Sequence, residues 1–187
     1  MTMAFFFGYG SLVNRRTHAY APVFNASLTG WRRAWRATDA RPAAFLTVVR
    51  DPSATIQGLI APVPGADWAA LDAREAAYDR HDATDQVTHA AQVGSIAVYA
   101  ISPDRMVAGG ASHPILLSYL DVVIQGFLAE HGSDGPEEFF ATTTGWDTPV
   151  LNDRAAPIYP RAQPLSASER ALVDHGLARV GARIMTG

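Results

Sequence analysis

The sequence predicts a mixed α+β protein with a largely antiparallel sheet or small β-barrel and flanking helices. Three observations predict it: short β-branched or aromatic runs fill the first half of the chain, one alanine-rich helical pattern interrupts them, and further helical patterns follow. A chain of 187 residues suits one hydrophobic core. We therefore expect one domain, 1–187, with the barrel core in 1–102 and a helical and extended part in 103–187 packed on it.

Strand patterns dominate the first hundred residues. The apolar run 4–7 stops at Gly8, which predicts a buried strand followed by a tight turn. Two β-branched runs flank Asp51-Pro52-Ser53, and this pattern predicts a hairpin. The two runs are 44–49 and 56–63. The other strands predicted after the first are 28–38, 86–91 and 95–102.

Helical spacing of apolar residues predicts the helices 67–80, 115–130, 136–141 and 168–180. Ser112 is a candidate N-cap for the second, and Gly132 follows its end. Ser166 and Glu169 have the spacing of a capping box at the start of the last helix. The proline-rich stretch 145–164 has no period and should lie extended over the surface. Within it, the Asp153-Arg154 pair and the segment 159–161 are either a structural strap or a lid over a site.

The composition excludes several kinds of chemistry. The chain has no cysteine, and all 15 of its basic residues are arginine, so thiol nucleophiles, thiolate zinc sites and Schiff-base lysines are absent. The histidines lack metal-ligand spacing, so we expect no metal and no cofactor. A net charge of −3 without a basic stripe gives no reason to expect a nucleic-acid partner.

Hydropathy gives no reason to expect a membrane partner, because no run approaches the ~18 apolar residues of a span. The first apolar run is also too short for the core of a signal peptide, so we expect a cytoplasmic protein. The alternation of arginine and tryptophan over 31–36 is typical of a strand with one charged face. The oligomeric state is left open.

The first candidate site is the turn Tyr9-Gly10-Ser11-Leu12. After a buried strand, glycine permits successive backbone N–H groups to point in one direction, and such a turn can hold a carboxylate, a phosphate or a developing oxyanion. Val13 stands where a dinucleotide fingerprint needs glycine, so that fingerprint fails. Taken alone, the pattern is also that of an ordinary glycine turn.

The second candidate is Glu75. At ~100° per helical residue, Trp68, Leu71 and Tyr78 form one apolar face, and Glu75 falls within ~30° of its centre. Burial would raise the pKa of this carboxyl group, as a general base near neutrality requires. A salt bridge to an arginine, or a side chain that extends to solvent, is the alternative.

These two motifs together resemble the γ-glutamyl cyclotransferase superfamily, and in particular its AIG2-like and ChaC-like bacterial members. The segment Phe6-Phe7-Gly8-Tyr9-Gly10-Ser11-Leu12 resembles the family's opening strand and Tyr-Gly-Ser turn. The segment Leu71-Asp72-x-x-Glu75-x-x-Tyr78 resembles its Leu-Asp-x-x-Glu motif with a following tyrosine. The resemblance covers roughly residues 4–102 and implies the family's small barrel fold.

The resemblance also implies a reaction: the α-amine of a γ-glutamyl compound attacks its own γ-carbonyl and releases 5-oxoproline. Glu75 would then be the general acid/base, Tyr9 to Leu12 would hold the glutamyl end, and Tyr78 would bind the carboxylate or form a wall. Val13-Asn14-Arg15-Arg16 stands where the glutathione-specific branch usually has tryptophan and proline. Glutathione, γ-glutamyl dipeptides and γ-glutamylamines therefore all remain candidate substrates.

Two alternatives stand beside the enzyme. A non-catalytic protein of the same fold would bind a small acidic metabolite at the turn, and its Glu75 would be paired with an arginine. A structural or interaction protein would expose an apolar face around Trp31 and Trp35 and would have no pocket at the turn.

Overall fold

The computed structural model of this chain describes residues 3–186, which form a large sheet, a small sheet and four helices. The strands are β1 Ala4–Gly8, β2 Phe24–Thr38, β3 Phe45–Pro62, β4 Asp79–Asp82, β5 Val87–His89, β6 Ser95–Ala100, β7 Met106–Val107, β8 Ile115–Leu116, β9 Thr143–Thr144, β10 Val150–Asn152 and β11 Ile184–Thr186. The helices are α1 Trp68–Arg74, α2 Leu117–His131, α3 Asp134–Ala141 and α4 Ala167–Arg179. This content confirms the α+β class.

The large sheet has the strand order β4-β6-β1-β3-β2-β5, with β7 and β9 also paired to β2. Its pairs are antiparallel except β1 with β6 and β2 with β9. The sheet is thus largely antiparallel, as expected. Through residues 3–186 the hydrogen-bonded path ends at β4 and β5, so hydrogen bonding does not close the sheet into a barrel. The small sheet joins β8, β10 and β11 in parallel.

The hairpin predicted around Asp51-Pro52-Ser53 is wrong, because both flanking runs belong to the single strand β3. Strand β2 pairs with β3 on both sides of this turn motif, and residues 51–54 lie opposite Gly30 as an irregularity in the ladder. The Asp51 carboxylate accepts a hydrogen bond from the Ser53 N–H at 3.0 Å. The motif therefore forms a local turn, but pairing with a long partner strand keeps the direction of the chain.

The helix predicted over 67–80 is also too long, since α1 ends at Arg74. Asp67 caps its start by accepting from the Ala70 N–H at 3.0 Å. The residues Asp79 and Arg80 instead lie in β4, which pairs with β6 at the edge of the large sheet. Sheet pairing overrides the local helical propensity there. None of the helices between residues 3 and 186 has the length and apolar character needed to cross a bilayer.

Helix α2 is buried along most of its length and packs against the sheet. It begins at Leu117 without a cap from its own flanking side chains, so the prediction of Ser112 as N-cap is wrong. Asp153 supplies the cap instead, because its carboxylate accepts from the Ser118 N–H at 2.8 Å. The end of α2 at Gly132 and the capping box of Ser166 with Glu169 are as predicted.

Arg33 lies under the candidate turn and is fully buried. The strand predicted over 31–36 is present, but Arg33 does not belong to its charged face. Arg33 lies between Trp31 and Trp35 on the face that is buried in the core. Its Nε donates to the Tyr9 carbonyl at 3.1 Å, and its Nη1 donates to the Thr142 hydroxyl at 2.6 Å. Burial lowers the pKa of this guanidinium to about 10, which leaves it charged near neutrality.

Candidate functional site

All the candidate site residues lie around one cavity of about 440 Å³. The turn after β1 forms one wall, and the residues just after α1 form another. The extended segment 159–161 lines the same cavity. The lining residues that carry polar side chains are Tyr9, Ser11, Thr17, His18, Arg41, Arg74, Glu75, Tyr78, Tyr99, Tyr119, Tyr159 and Arg161.

The turn begins where β1 ends and continues as a single 3₁₀ turn over Ser11–Val13. The Val13 N–H donates to the Gly10 carbonyl at 3.0 Å. Among residues 3–186, no carbonyl accepts from the N–H groups of Ser11 and Leu12, as expected at the start of a helical turn. Both residues line the cavity; the Ser11 amide faces the Tyr119 hydroxyl oxygen there, and the Leu12 amide has no backbone acceptor.

The side-chain hydroxyl and the backbone carbonyl of Tyr9 both hold the turn in place. Its buried hydroxyl donates to the Tyr99 carbonyl at 2.7 Å, and its own carbonyl accepts from Arg33. Burial raises the pKa of this phenol well above its usual value, so it remains protonated as a donor. Tyr9 thus supports the turn from inside the core.

Gly10 allows the first turn of α2 to approach closely. A Cβ at this position would lie 2.5 Å from the Tyr119 hydroxyl oxygen and 3.2 Å from the Leu46 side chain. The Ser11 backbone amide and hydroxyl face the same phenol oxygen. A side chain at position 10 would therefore displace Tyr119 from the cavity wall.

Glu75 lies at the end of α1 and faces the cavity that Ser11 lines. It does not lie on an inward helical face, because the helix stops before it; its side chain is 31% exposed. Partial burial raises the pKa of its carboxyl group, while the nearby Arg74 and Arg161 guanidinium groups act in the opposite direction.

The carboxylate of Glu75 forms a long ion pair with Arg74 and accepts no hydrogen bond from it. The Arg74 Nε lies 3.6 Å from its Oε1, beyond a hydrogen bond of good geometry. Within the described chain, 3–186, no group donates a hydrogen bond to this carboxylate. Glu75 therefore has oxygen lone pairs available to a molecule in the cavity.

Tyr78 forms part of the cavity wall, and its hydroxyl does not bond to the Glu75 carboxylate. Its hydroxyl donates to the Leu46 carbonyl at 3.1 Å, and its ring packs edge-on against Phe45 at 6.0 Å. Its N–H donates to the Glu75 carbonyl at 2.8 Å, which makes a turn where a further helical turn was predicted. Burial raises the pKa of its phenol, so the hydroxyl remains a donor.

The sequence interpretation missed several side chains at this cavity. Tyr119 lies in the buried part of α2, and Tyr159 packs edge-on against it at 5.0 Å. Arg41 stacks on Phe45 at 3.8 Å from the ring centre. The sequence offered a signal only for 159–161, as a strap or a lid; the other side chains reach the cavity through the tertiary fold alone.

Comparisons with known proteins agree with this fold and motif pattern. The family model described as ChaC-like protein matches residues 4–107, more than half of the chain. No curated protein gives a significant match.

Solved structures show the same fold at low sequence identity. One described as γ-glutamyl cyclotransferase is 14% identical with a TM-score of 0.57, over 94% of this chain and 99% of the other. An uncharacterized protein from Homo sapiens is 13% identical with a TM-score of 0.55, over 91% and 97%. YkqA from Bacillus subtilis is 16% identical with a TM-score of 0.55, over 78% and 57%.

The matched range contains both the glycine turn and Glu75, and the fold agrees over nearly the whole chain. The chain therefore belongs to the ChaC-like family, and its two motifs resemble those of the γ-glutamyl cyclotransferase superfamily.

Proposed function

We propose that this protein is a γ-glutamyl cyclotransferase-type enzyme. The α-amine of a bound γ-glutamyl compound forms a bond to its own γ-carbonyl carbon, and the amide bond to the leaving amine breaks. The products are 5-oxoproline and a free amine or amino acid. The nucleophile belongs to the substrate, which suits a chain without cysteine or lysine.

Glu75 moves the proton in this reaction. Its carboxylate takes a proton from the α-ammonium group, so that the amine can attack, and returns it to the leaving nitrogen. This requires a carboxyl group that is ionised when substrate binds and yet basic enough to accept a proton. Partial burial, which raises the pKa of Glu75, supports that role.

The turn holds the reacting end of the substrate. The N–H groups of Ser11 and Leu12 lack carbonyl acceptors among residues 3–186. The Leu12 amide, and the Ser11 amide once it leaves the Tyr119 hydroxyl that it faces, can donate to the glutamyl end or to the oxyanion that forms at the γ-carbonyl. Tyr9 and Gly10 shape this turn, and Tyr78 forms the wall beside Glu75. Holding the folded, near-attack conformation can contribute several kcal/mol.

The observation that supports this function most strongly is the pairing of two features in one cavity. A carboxyl group with a raised pKa, to which no group in 3–186 donates a hydrogen bond, lines the same cavity as Ser11 and Leu12 of the turn. A binding protein with the same fold needs the N–H groups, but it does not need a basic carboxylate.

The decisive experiment incubates the purified protein with glutathione, γ-glutamyl dipeptides and γ-glutamylamines and measures 5-oxoproline by mass spectrometry. We expect release from at least one compound and a loss of about 10² to 10⁴-fold in kcat for Glu75→Gln. Glu137→Gln is the control, because that glutamate is exposed in a surface pair with Arg179. Release that persists in folded Glu75→Gln would exclude the mechanism, and no release from any compound would favour the non-catalytic binding protein.

A further inference from the structure

A second cavity of about 1000 Å³ adjoins the candidate site. Thr17, His18, Arg74 and Arg161 line both cavities, so the two meet at these side chains. The residues that line the second cavity alone are Met3, Ala4, Ala19, Tyr20, Ala21, Pro62, Val63, Pro64, Gly65 and Ala66. Its own wall is thus largely apolar, and its charged groups are at the junction.

The charge at this junction is positive. Within residues 3–186, no aspartate or glutamate lines the second cavity, whereas two arginines do. His18 adds no charge near neutrality: its Nδ1 accepts from the Tyr20 N–H and its Nε2 contacts the Leu12 carbonyl at 2.8 Å, so the ring carries one proton, on Nε2. Burial also lowers the pKa of this imidazole.

The two arginines differ in how they are already bonded. Arg74 donates to the Tyr20 hydroxyl and lies 3.6 Å from the Glu75 carboxylate. Among residues 3–186, no carboxylate lies within 4 Å of the Arg161 guanidinium, and no acceptor takes a hydrogen bond from it. Arg161 is nevertheless close enough to Glu75 to lower the pKa of that carboxyl group. It is therefore the cation at the junction that is available to an anionic ligand.

We propose that the second cavity binds the leaving group and that Arg161 binds a free carboxylate on it. This inference rests on the proposed function, because the scissile amide lies between Glu75 and the turn in the first cavity. The amine half must then extend from there, and the second cavity opens beside Glu75. The substrate class is γ-glutamyl amino acids and peptides that end in a carboxylate, in preference to γ-glutamylamines.

Two matched compounds test this subsite: γ-glutamyl-L-alanine and its C-terminal amide, γ-glutamyl-L-alaninamide. A charge-assisted contact with Arg161 should make kcat/KM for the acid about 10- to 100-fold higher. Arg161→Gln should remove that preference by lowering kcat/KM for the acid more than for the amide, since any change that acts through the pKa of Glu75 affects both compounds alike. Arg179→Gln, which removes one positive charge from a distant surface pair with Glu137, should preserve it.

Equal kcat/KM for the two compounds, or a preference unchanged in Arg161→Gln, would overturn the subsite and leave the proposed function intact. If neither compound yields 5-oxoproline, calorimetric binding to folded Glu75→Gln protein decides the matter separately. Tighter binding of the acid, lost when Arg161→Gln is added, would support the subsite. Equal binding, or no binding of either compound, would contradict it.

Discussion

Glu75 lies at the candidate site in an environment that is unfavourable to its charge. Partial burial raises the pKa of its carboxyl group, even though two guanidinium groups lie nearby. Ionisation of this carboxyl group is therefore harder in the folded state than in the unfolded state. Near neutrality the ionised side chain reduces the stability of the fold, a cost typical of active-site residues.

We expect Glu75→Gln to be at least as stable as the unchanged protein at pH 7–8. Below the unfolded pKa both states hold the proton and the carboxyl group has no effect. As pH rises from the unfolded pKa to the higher folded pKa, the unchanged protein loses stability relative to the Glu75→Gln variant. Thermal unfolding of both proteins from pH 4 to pH 8 should show a difference in Tm that grows with pH.

The opposite result would have a clear meaning. If Glu75→Gln were less stable at pH 8 than at pH 4 relative to the unchanged protein, the carboxylate would be a stabilising structural partner. The salt-bridge alternative for Glu75 would then be favoured, and loss of activity in this variant could reflect loss of structure.

At the scale of elements, the strand β2 supports the candidate turn at Tyr9–Leu12. Arg33 of this strand joins the carbonyl of Tyr9 to the hydroxyl of Thr142, and its guanidinium lies 4.7 Å from the Phe127 ring centre. The Glu138 Oε2 lies 3.7 Å from the Arg33 Nη1, and the Glu138 side chain is partly exposed. A buried arginine here connects the turn, the sheet and the helical part.

We expect Arg33→Met to lower the free energy of unfolding by about 3 kcal/mol or more, because buried acceptors lose their donor. Arg32→Met is a matched control on the opposite face of the same strand, where Arg32 pairs with Asp51 at 2.7 Å and is partly exposed. It should cause a much smaller loss. Urea denaturation measures both, and equal stability of the two variants would contradict the role of Arg33.

At the scale of the whole molecule, residues after 102 complete the cavity that the first half begins. Asp153 accepts from the Ser118 N–H at 2.8 Å, from the Ser118 hydroxyl at 2.5 Å and from the Ile158 N–H at 2.9 Å. The same carboxylate thus caps α2, which carries Tyr119, and anchors the segment that carries Tyr159 and Arg161. The extended segment is both a strap and a wall of the cavity.

We expect Asp153→Ala to lower the free energy of unfolding by about 3 kcal/mol and to raise KM. The stability is lost because three donors lose a buried, charged acceptor, and KM rises because two walls lose their common anchor. Asp147→Ala is the control, since Asp147 is an exposed carboxylate in the same proline-rich stretch. Denaturation and steady-state kinetics measure both variants. An unchanged KM in a destabilised Asp153→Ala would limit Asp153 to a structural role.

Local patterns determined much of this protein before its structure was described. Residues close in sequence predicted the strand and turn at Ala4–Leu12, the end of α2 at Gly132 and the start of α4 at Ser166. They also predicted the α+β class. Periodicity also selected Glu75, although the helix that it assumed ends one residue earlier. Such signals succeed where caps, turns and strand alternation depend on neighbouring residues. They failed at Ser112 and at Asp51-Pro52-Ser53, where Asp153 supplies the cap and β2 keeps β3 as one strand.

The tertiary structure alone decided what surrounds Glu75. The cap of α2 comes from Asp153, 35 residues away, and Arg33 donates to a carbonyl 24 residues away. The same holds for Tyr119 and Arg161, which share a cavity with Glu75. Contacts between segments distant in sequence leave no periodic trace in the chain, because they depend on how the sheet and helices pack. The sequence thus identified Glu75 as the candidate acid/base, and packing decided its partners, its pKa and the second cavity beside it.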